Sequence, residues 1–180
     1  MKSIIRALCL VLLATSATVM AAEAERGPII ESYGPVYSVP QENFNLDPGQ
    51  EYKVIMDIGK GPEDPSAVDR GIESVARFLN MHARNGISSD KLEFALVLHG
   101  SAARAVLTDA VYKERFGTPN SNKPLLEELG QAGVAIYLCG QTAAYRGFEP
   151  DQLLPQVTMA VSAMTVHVRL QQEGYRPILF

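Results

Sequence analysis

The sequence predicts an α/β domain, a parallel sheet sandwiched between helices, and three observations carry that expectation. From Tyr52 onward, short apolar runs alternate with stretches of helical periodicity, and strands joined through helices pair in parallel. One run, Leu92 to His99, is apolar at nearly every position, as a strand covered on both faces must be. The chain has 180 residues, 47% apolar and 20% charged, which is one domain's worth of sequence with an ordinary core and no compositional ground for disorder.

The N-terminus reads as a signal peptide over residues 1–21. Lys2 and Arg6 make a basic start, Ala7 to Leu13 is an unbroken apolar run, and Val19-Met20-Ala21 is a small-x-Ala exit; these are the three parts of a secretory signal. The run is too short to span a bilayer, so no membrane anchor is expected after cleavage. Residues 22–50 are rich in turn formers, among them Gly27-Pro28, Gly34-Pro35 and Asp47-Pro48-Gly49, and read as an extended N-terminal arm. Residues 51–180 are the α/β domain.

Within that domain, Lys53 to Ile58 is the first strand, closed by Gly59-Lys60-Gly61-Pro62. Asp64-Pro65 offers an N-cap and an N1 proline, and Val68, Ile72, Val75, Ala76 and Leu79 follow at helical spacing up to Asn85-Gly86. Leu92 to His99 is the second strand, and Gly100-Ser101 leads into a helix from Ala102 to about Tyr112. After a polar loop, a helix over Leu125 to Ala132 precedes the third strand, Val134 to Leu138, which ends at Cys139-Gly140. Short helical turns over Thr142 to Tyr145 and Asp151 to Leu154 follow. The fourth strand is Val157 to Val161, Ser162 caps a helix from Ala163 to Glu173, and Arg176 to Phe180 is the fifth strand.

Charge and cysteine content narrow the function. Lys plus Arg number 16 against 20 Asp plus Glu, a net charge of −4 without any Lys/Arg run, which argues against a nucleic-acid partner. Of the two cysteines, Cys9 lies in the signal and Cys139 in the domain, so the exported protein carries one thiol and forms no internal disulfide. An unpaired thiol in an oxidising compartment reads as reactive or as pairing between molecules.

Ligands of open α/β sheets collect at the carboxyl ends of the strands. Three candidates lie there: Asp57 to Gly61, His99-Gly100-Ser101 and Cys139-Gly140-Gln141. Cys139 stands where a strand gives way to a helical turn, so the N–H groups of Gly140, Gln141 and Thr142 can favour its thiolate. Arg146 comes within reach of a charged sulfur species, and Gly140 leaves room for a substrate sulfur. Cys139 is the expected catalytic residue, with Gly140, Gln141, Arg146 and His99 binding substrate. The ordinary reading of His99 is a hydrogen-bonded structural histidine, and His82 and His167 read as surface or satisfied core. Gly59-Lys60-Gly61 lacks the spacing of a phosphate loop, no Cys/His cluster has zinc spacing, and no Gly-x-Ser-x-Gly elbow occurs. No metal and no cofactor is expected.

The segment Cys139-Gly140-Gln141-Thr142-Ala143-Ala144-Tyr145-Arg146-Gly147, after a strand and an Ala132-Gly133 turn, resembles the cysteine loop of the DsrE/DsrF-like family. In that family a strand runs into a reactive Cys, a small-residue turn and an Arg-Gly pair at this spacing. Leu126 to Val134 and Leu170 to Tyr175 look like the family's exported branch, and the similarity covers roughly Lys53 to the C-terminus. The resemblance implies a three-layer α/β/α sandwich with a five-stranded, mainly parallel sheet. It also implies assembly into small oligomers and a sulfur-carrier role in which Cys139 holds a persulfide, with Gly140, Gln141 and Arg146 as its loop. The family's sulfur relays are cytoplasmic, whereas the signal places this chain in the periplasm.

The function expected is thus an exported sulfur carrier or sulfur transferase that takes sulfane sulfur from a donor and passes it to an acceptor. A non-catalytic oligomeric scaffold with an inert, buried Cys139 is the alternative, and redox sensing through a mixed disulfide is a third. Apolar side chains on Ala163 to Glu173 and on the arm from Ile29 to Val39 exceed what one small sheet covers, which points to a homo-oligomer.

Overall fold

A computed structural model of the chain describes residues 23–39 and 44–179. The export signal read over residues 1–21 and the terminal Phe180 lie outside the described residues.

Five strands, β1 (Tyr52–Ile58), β2 (Leu92–Leu98), β3 (Ala135–Cys139), β4 (Val157–Ala160) and β5 (Arg176–Pro177), form one sheet in the order β4-β3-β2-β1-β5. Every pairing is parallel. The helices α1 (Arg70–Arg84), α2 (Asp109–Phe116), α3 (Lys123–Gln131), α4 (Gly140–Arg146) and α5 (Ala163–Gln172) connect them.

Strand alternation builds two unequal cores. Val54, Met56 and Ile58, with Phe94, Leu96 and Leu98 and with Ile136 and Leu138, point to one face, where they join buried residues of α1, α3 and the 3-10 turn Ala102–Val106. The intervening Ile55, Ala95 and Val97 point to the other face and meet Val166 and Leu170 of α5. The sheet therefore lies between helices on both sides, the three layers expected, with α5 contacting β1, β2, β3 and β4 on the lighter face. Small residues at Ala95 and Ala135 let this single helix sit close to the sheet.

The element boundaries depart from expectation in three places. Helix α1 is capped by Asp69, whose Oδ1 accepts from Gly71 and Ile72. Asp64 instead closes a local turn by accepting from Ser66 N–H and hydroxyl, so the Asp64-Pro65 cap is not used. The helix expected over Ala102 to Tyr112 is two pieces, a 3-10 turn ending at Val106 and then α2, because Thr108 N–H leaves the helix to donate to Gln152 O. The turn near Thr142 is a full helix that starts directly after Cys139.

Residues 23–39 lie across α1. Glu25 and Val36 pair as an antiparallel bridge, and Ile30 is fully buried. Asn80 of α1, also fully buried, accepts from the N–H groups of Ile29 and Ile30 and donates to the carbonyls of Ile30, Tyr33 and Gly34. One side-chain amide thus satisfies five backbone groups of the segment.

Candidate functional site

Alternation along the strands decides what stands at the sheet's carboxyl edge. Because Met56 and Ile58, Leu98, and Leu138 all point to the heavier core, Asp57, His99 and Cys139 point to the α5 side. Leu98 pairs with Leu138, so His99 and Cys139 leave the sheet beside one another. Asp57 sits on the next strand, where Ile58 pairs with Leu98. All three line a cavity of about 590 Å³, together with Gln141 and with His167 of α5. Its remaining wall is largely apolar, from Met164, Val168, Pro177 and Leu179.

The sulfur is set among N–H groups. Cys139 is the N-cap residue of α4, in extended conformation, and is 7% exposed. Burial pushes its thiol up. The N–H groups of Thr142 and Ala163, the Thr142 hydroxyl and the Gln141 N–H outweigh burial and hold the thiol below its ordinary value. The side chain makes no capping hydrogen bond of regular geometry, so these groups act on the sulfur as oriented dipoles. Two of the N–H groups expected from the sequence, those of Gln141 and Thr142, are among them. The Ala163 N–H, from the first turn of α5, is a contribution that the sequence does not reveal.

Gly140 does other work than expected. A Cβ there would lie 2.4 Å from the Ala160 carbonyl oxygen and 3.2 Å from that of Val161. The missing side chain lets α4 start against the end of β4, and the space is filled by backbone. Gln141 is exposed, lines the cavity and donates through Nε2 to Val161 O at 3.3 Å. Arg146 is not brought to the sulfur: it ends α4 as an exposed residue outside the cavity wall, and its carbonyl accepts from Arg115. It is also absent from the groups that move the Cys139 thiol.

Asp57 organises the other half of the cavity. His99 Nε2 donates to Asp57 Oδ2 at 3.0 Å, and His167 Nε2 lies 3.2 Å from Oδ1. The second contact is close enough for attraction but is not a hydrogen bond, since His167 Nε2 is buried without a hydrogen-bond partner. The His99 ring lies over Gly59, where a Cβ would come within 2.6 Å of its Cε1, so that glycine makes room for the imidazole. His167 stands one helical turn after Ala163, and the site thereby gains a residue that the sequence suggests only as surface or core. His82, by contrast, is buried, stacked on Phe78 and bonded to its carbonyl. Among the described residues, no group of three or more His, Cys, Asp or Glu side chains is arranged to hold a metal ion. None of the described helices is long and apolar enough to cross a membrane.

Comparison with known proteins identifies the fold. Among curated proteins, none matches the chain. Solved structures similar to it include the ychN protein from E. coli, with 18% identity over 71% of this chain and 97% of that one, at a TM-score of 0.50, and the protein of unknown function MTH1491 from Methanobacterium thermoautotrophicum, with 22% identity over 71% and 98%, at 0.49. The family model for DsrE/DsrF-like proteins matches residues 53–180. The chain belongs to the DsrE/DsrF-like family, a membership that suggests a sulfur-related role.

Proposed function

We propose that the protein is an exported sulfur carrier in which Cys139 holds sulfane sulfur as a persulfide. The observation that carries this reading is the thiol itself: a nearly buried sulfur whose surrounding N–H and hydroxyl groups favour the thiolate over burial. A thiolate attacks the outer sulfur of a donor, and the same dipoles then stabilise the charge of the bound persulfide. His99 and Gln141 share the cavity with Cys139 and are positioned to meet the donor, while Gly140 shapes the loop and Arg146 faces solvent at its far end. Export rests on the signal read over residues 1–21, and protein isolated from the periplasm then begins within a few residues of Ala22.

A homo-oligomer belongs to the same reading. On the α5 side Met164 and Val168 are 75% and 59% exposed, and Val161, just before the helix, is 72% exposed; apolar surface of this kind marks a contact with another chain.

The deciding experiment is alkylation of the thiol as a function of pH, with mass analysis of the protein from its native compartment. A midpoint below about 8.5 and a mass gain of one sulfur atom are expected. Slow alkylation with a midpoint at or above that value, and no sulfur adduct, would instead identify Cys139 as an inert core residue.

A further inference from the structure

The cavity beside the sulfur holds groups that no nucleophile needs. A thiolate already favoured by the surrounding N–H and hydroxyl groups attacks without a base, yet two imidazoles converge on the single carboxylate of Asp57 beside it. We propose that Asp57, His99 and His167 form a proton donor for the departing thiolate when sulfur moves onto Cys139, and that the donor molecule is an organic hydropersulfide with an uncharged, apolar body. The proposal rests on the carrier reading above and names the substrate class and the second half of its chemistry.

The roles follow from the contacts. A carboxylate accepts only, so the proton of the bond between His99 and Asp57 resides on Nε2, and Nδ1 is the ring position left to exchange a proton. Asp57 is a positioning residue: it fixes the tautomer and orientation of His99, as a carboxylate behind an imidazole does elsewhere. His167 brings a second imidazole to the free oxygen of the same carboxylate, so the cluster carries two proton-binding rings for one negative charge. Gly59 admits the His99 ring, which shows that the backbone is built around it.

In the transfer, the Cys139 thiolate attacks the terminal sulfur of R–S–SH. A bond forms between Sγ and that sulfur, and the S–S bond of the donor breaks with its electron pair going to R–S. His99, protonated at Nδ1, gives its proton to this leaving thiolate and releases RSH. The persulfide on Cys139 then loses its proton to the neutral imidazole, restoring the ring. Hydropersulfide and thiolate are converted to thiol and enzyme persulfide, with no net oxidation and no further reactant.

The donor class follows from the walls. Met164, Val168, Pro177 and Leu179 present apolar surface, and among the described residues no lysine or arginine lines the cavity. Lys60 and Asp69 lie in an adjoining cavity that shares Asp57 and His99. An inorganic dianion such as thiosulfate would enter beside a thiolate and a carboxylate with no lysine or arginine to receive it and only an imidazolium already paired with Asp57, whereas an alkyl or benzyl group is favoured by burial.

The test compares three donors on the purified protein: benzyl hydropersulfide, 4-nitrophenyl hydropersulfide and thiosulfate, each followed by the rate at which Cys139 gains one sulfur. The benzyl compound expels a basic thiolate that needs a proton, and the nitrophenyl compound expels a weakly basic one that does not. His99→Asn is expected to slow loading from the benzyl donor about 10²-fold, the scale of general acid catalysis, and to leave the nitrophenyl rate within a few-fold; Asp57→Asn gives the same selective loss in a protein that keeps both rings. Thiosulfate is the slowest donor of the unaltered protein. Equal slowing for both hydropersulfides in both variants, or none, would overturn the proton-donor role while the carrier reading stands. Thiosulfate loading as fast as the benzyl donor would overturn the substrate class. Failure of all three donors to load the unaltered protein would remove the carrier reading itself, and this inference with it.

Discussion

Replacing Thr142 with valine probes the sulfur's surroundings one atom at a time. Thr142 acts on Cys139 through both its N–H and its hydroxyl; valine preserves the backbone group and the shape and deletes only the hydroxyl. That hydroxyl also accepts from Gly100 N–H at 3.3 Å, an arrangement that turns its proton toward the sulfur. A hydrogen bond to a charged group contributes about 1.5–3 kcal/mol, and the irregular geometry at Cys139 places this one near the lower bound. Since about 1.4 kcal/mol corresponds to one pKa unit, the midpoint of alkylation by iodoacetamide should rise by about one unit in Thr142→Val and stay in place in Thr142→Ser. Burial, which opposes ionisation, is the same in both variants. The sign extends to stability. A thiol that ionises more readily in the folded state than in the unfolded one stabilises the fold fully above about pH 8.5, and that contribution is lost as pH falls through the folded midpoint. An unmoved alkylation midpoint in a folded Thr142→Val protein would refute the role of the hydroxyl in acidifying the thiol.

Three further outcomes are expected. Gly140→Ala drives a Cβ to 2.4 Å from a backbone oxygen and should cost about 1–3 kcal/mol in urea unfolding, with α4 displaced from β4. Asn80→Ala strips five backbone groups of their partner and should cost about 3 kcal/mol, together with faster proteolysis within residues 23–39. Met164→Asp places a charge on the exposed apolar side of α5 and should lower the mass found by sedimentation, leaving the circular dichroism of the fold unchanged.

Much of this architecture was legible because its signals are local. Continuous apolar runs such as Phe94 to Leu98 mark strands buried on both faces whatever their neighbours, and the breaks at Gly100, Gly133 and Gly174 punctuate them. Strand order and the choice between Asp64 and Asp69 as helix cap depend on packing, and either aspartate satisfies the local rule. At the site, Asp57, His99 and Cys139 were each visible as strand-end residues. What joins them is parity: each follows a side chain committed to the other core, so a count by twos along the three strands puts them on one face. His167 was harder to see. It follows Ala163 by four and neighbours the buried Val166 and Leu170, but which edge of that stripe meets Asp57 depends on the tilt of α5. Arg146 was misleading for the complementary reason, since sequence proximity to Cys139 says nothing about direction once α4 carries it along a helix to an exposed end.

Helix α5 touches the chemistry at two points, giving the Ala163 N–H to the sulfur and, one turn on, the His167 ring to Asp57. It is also the helix of the lighter core, and its exposed Met164 and Val168 form the apolar rim of the cavity. Acidity of the thiol and seating of the imidazole are thus geared to one rigid rod. The Ala163 N–H and the His167 ring are carried by one rigid element, so a roll of that rod would displace both of them together.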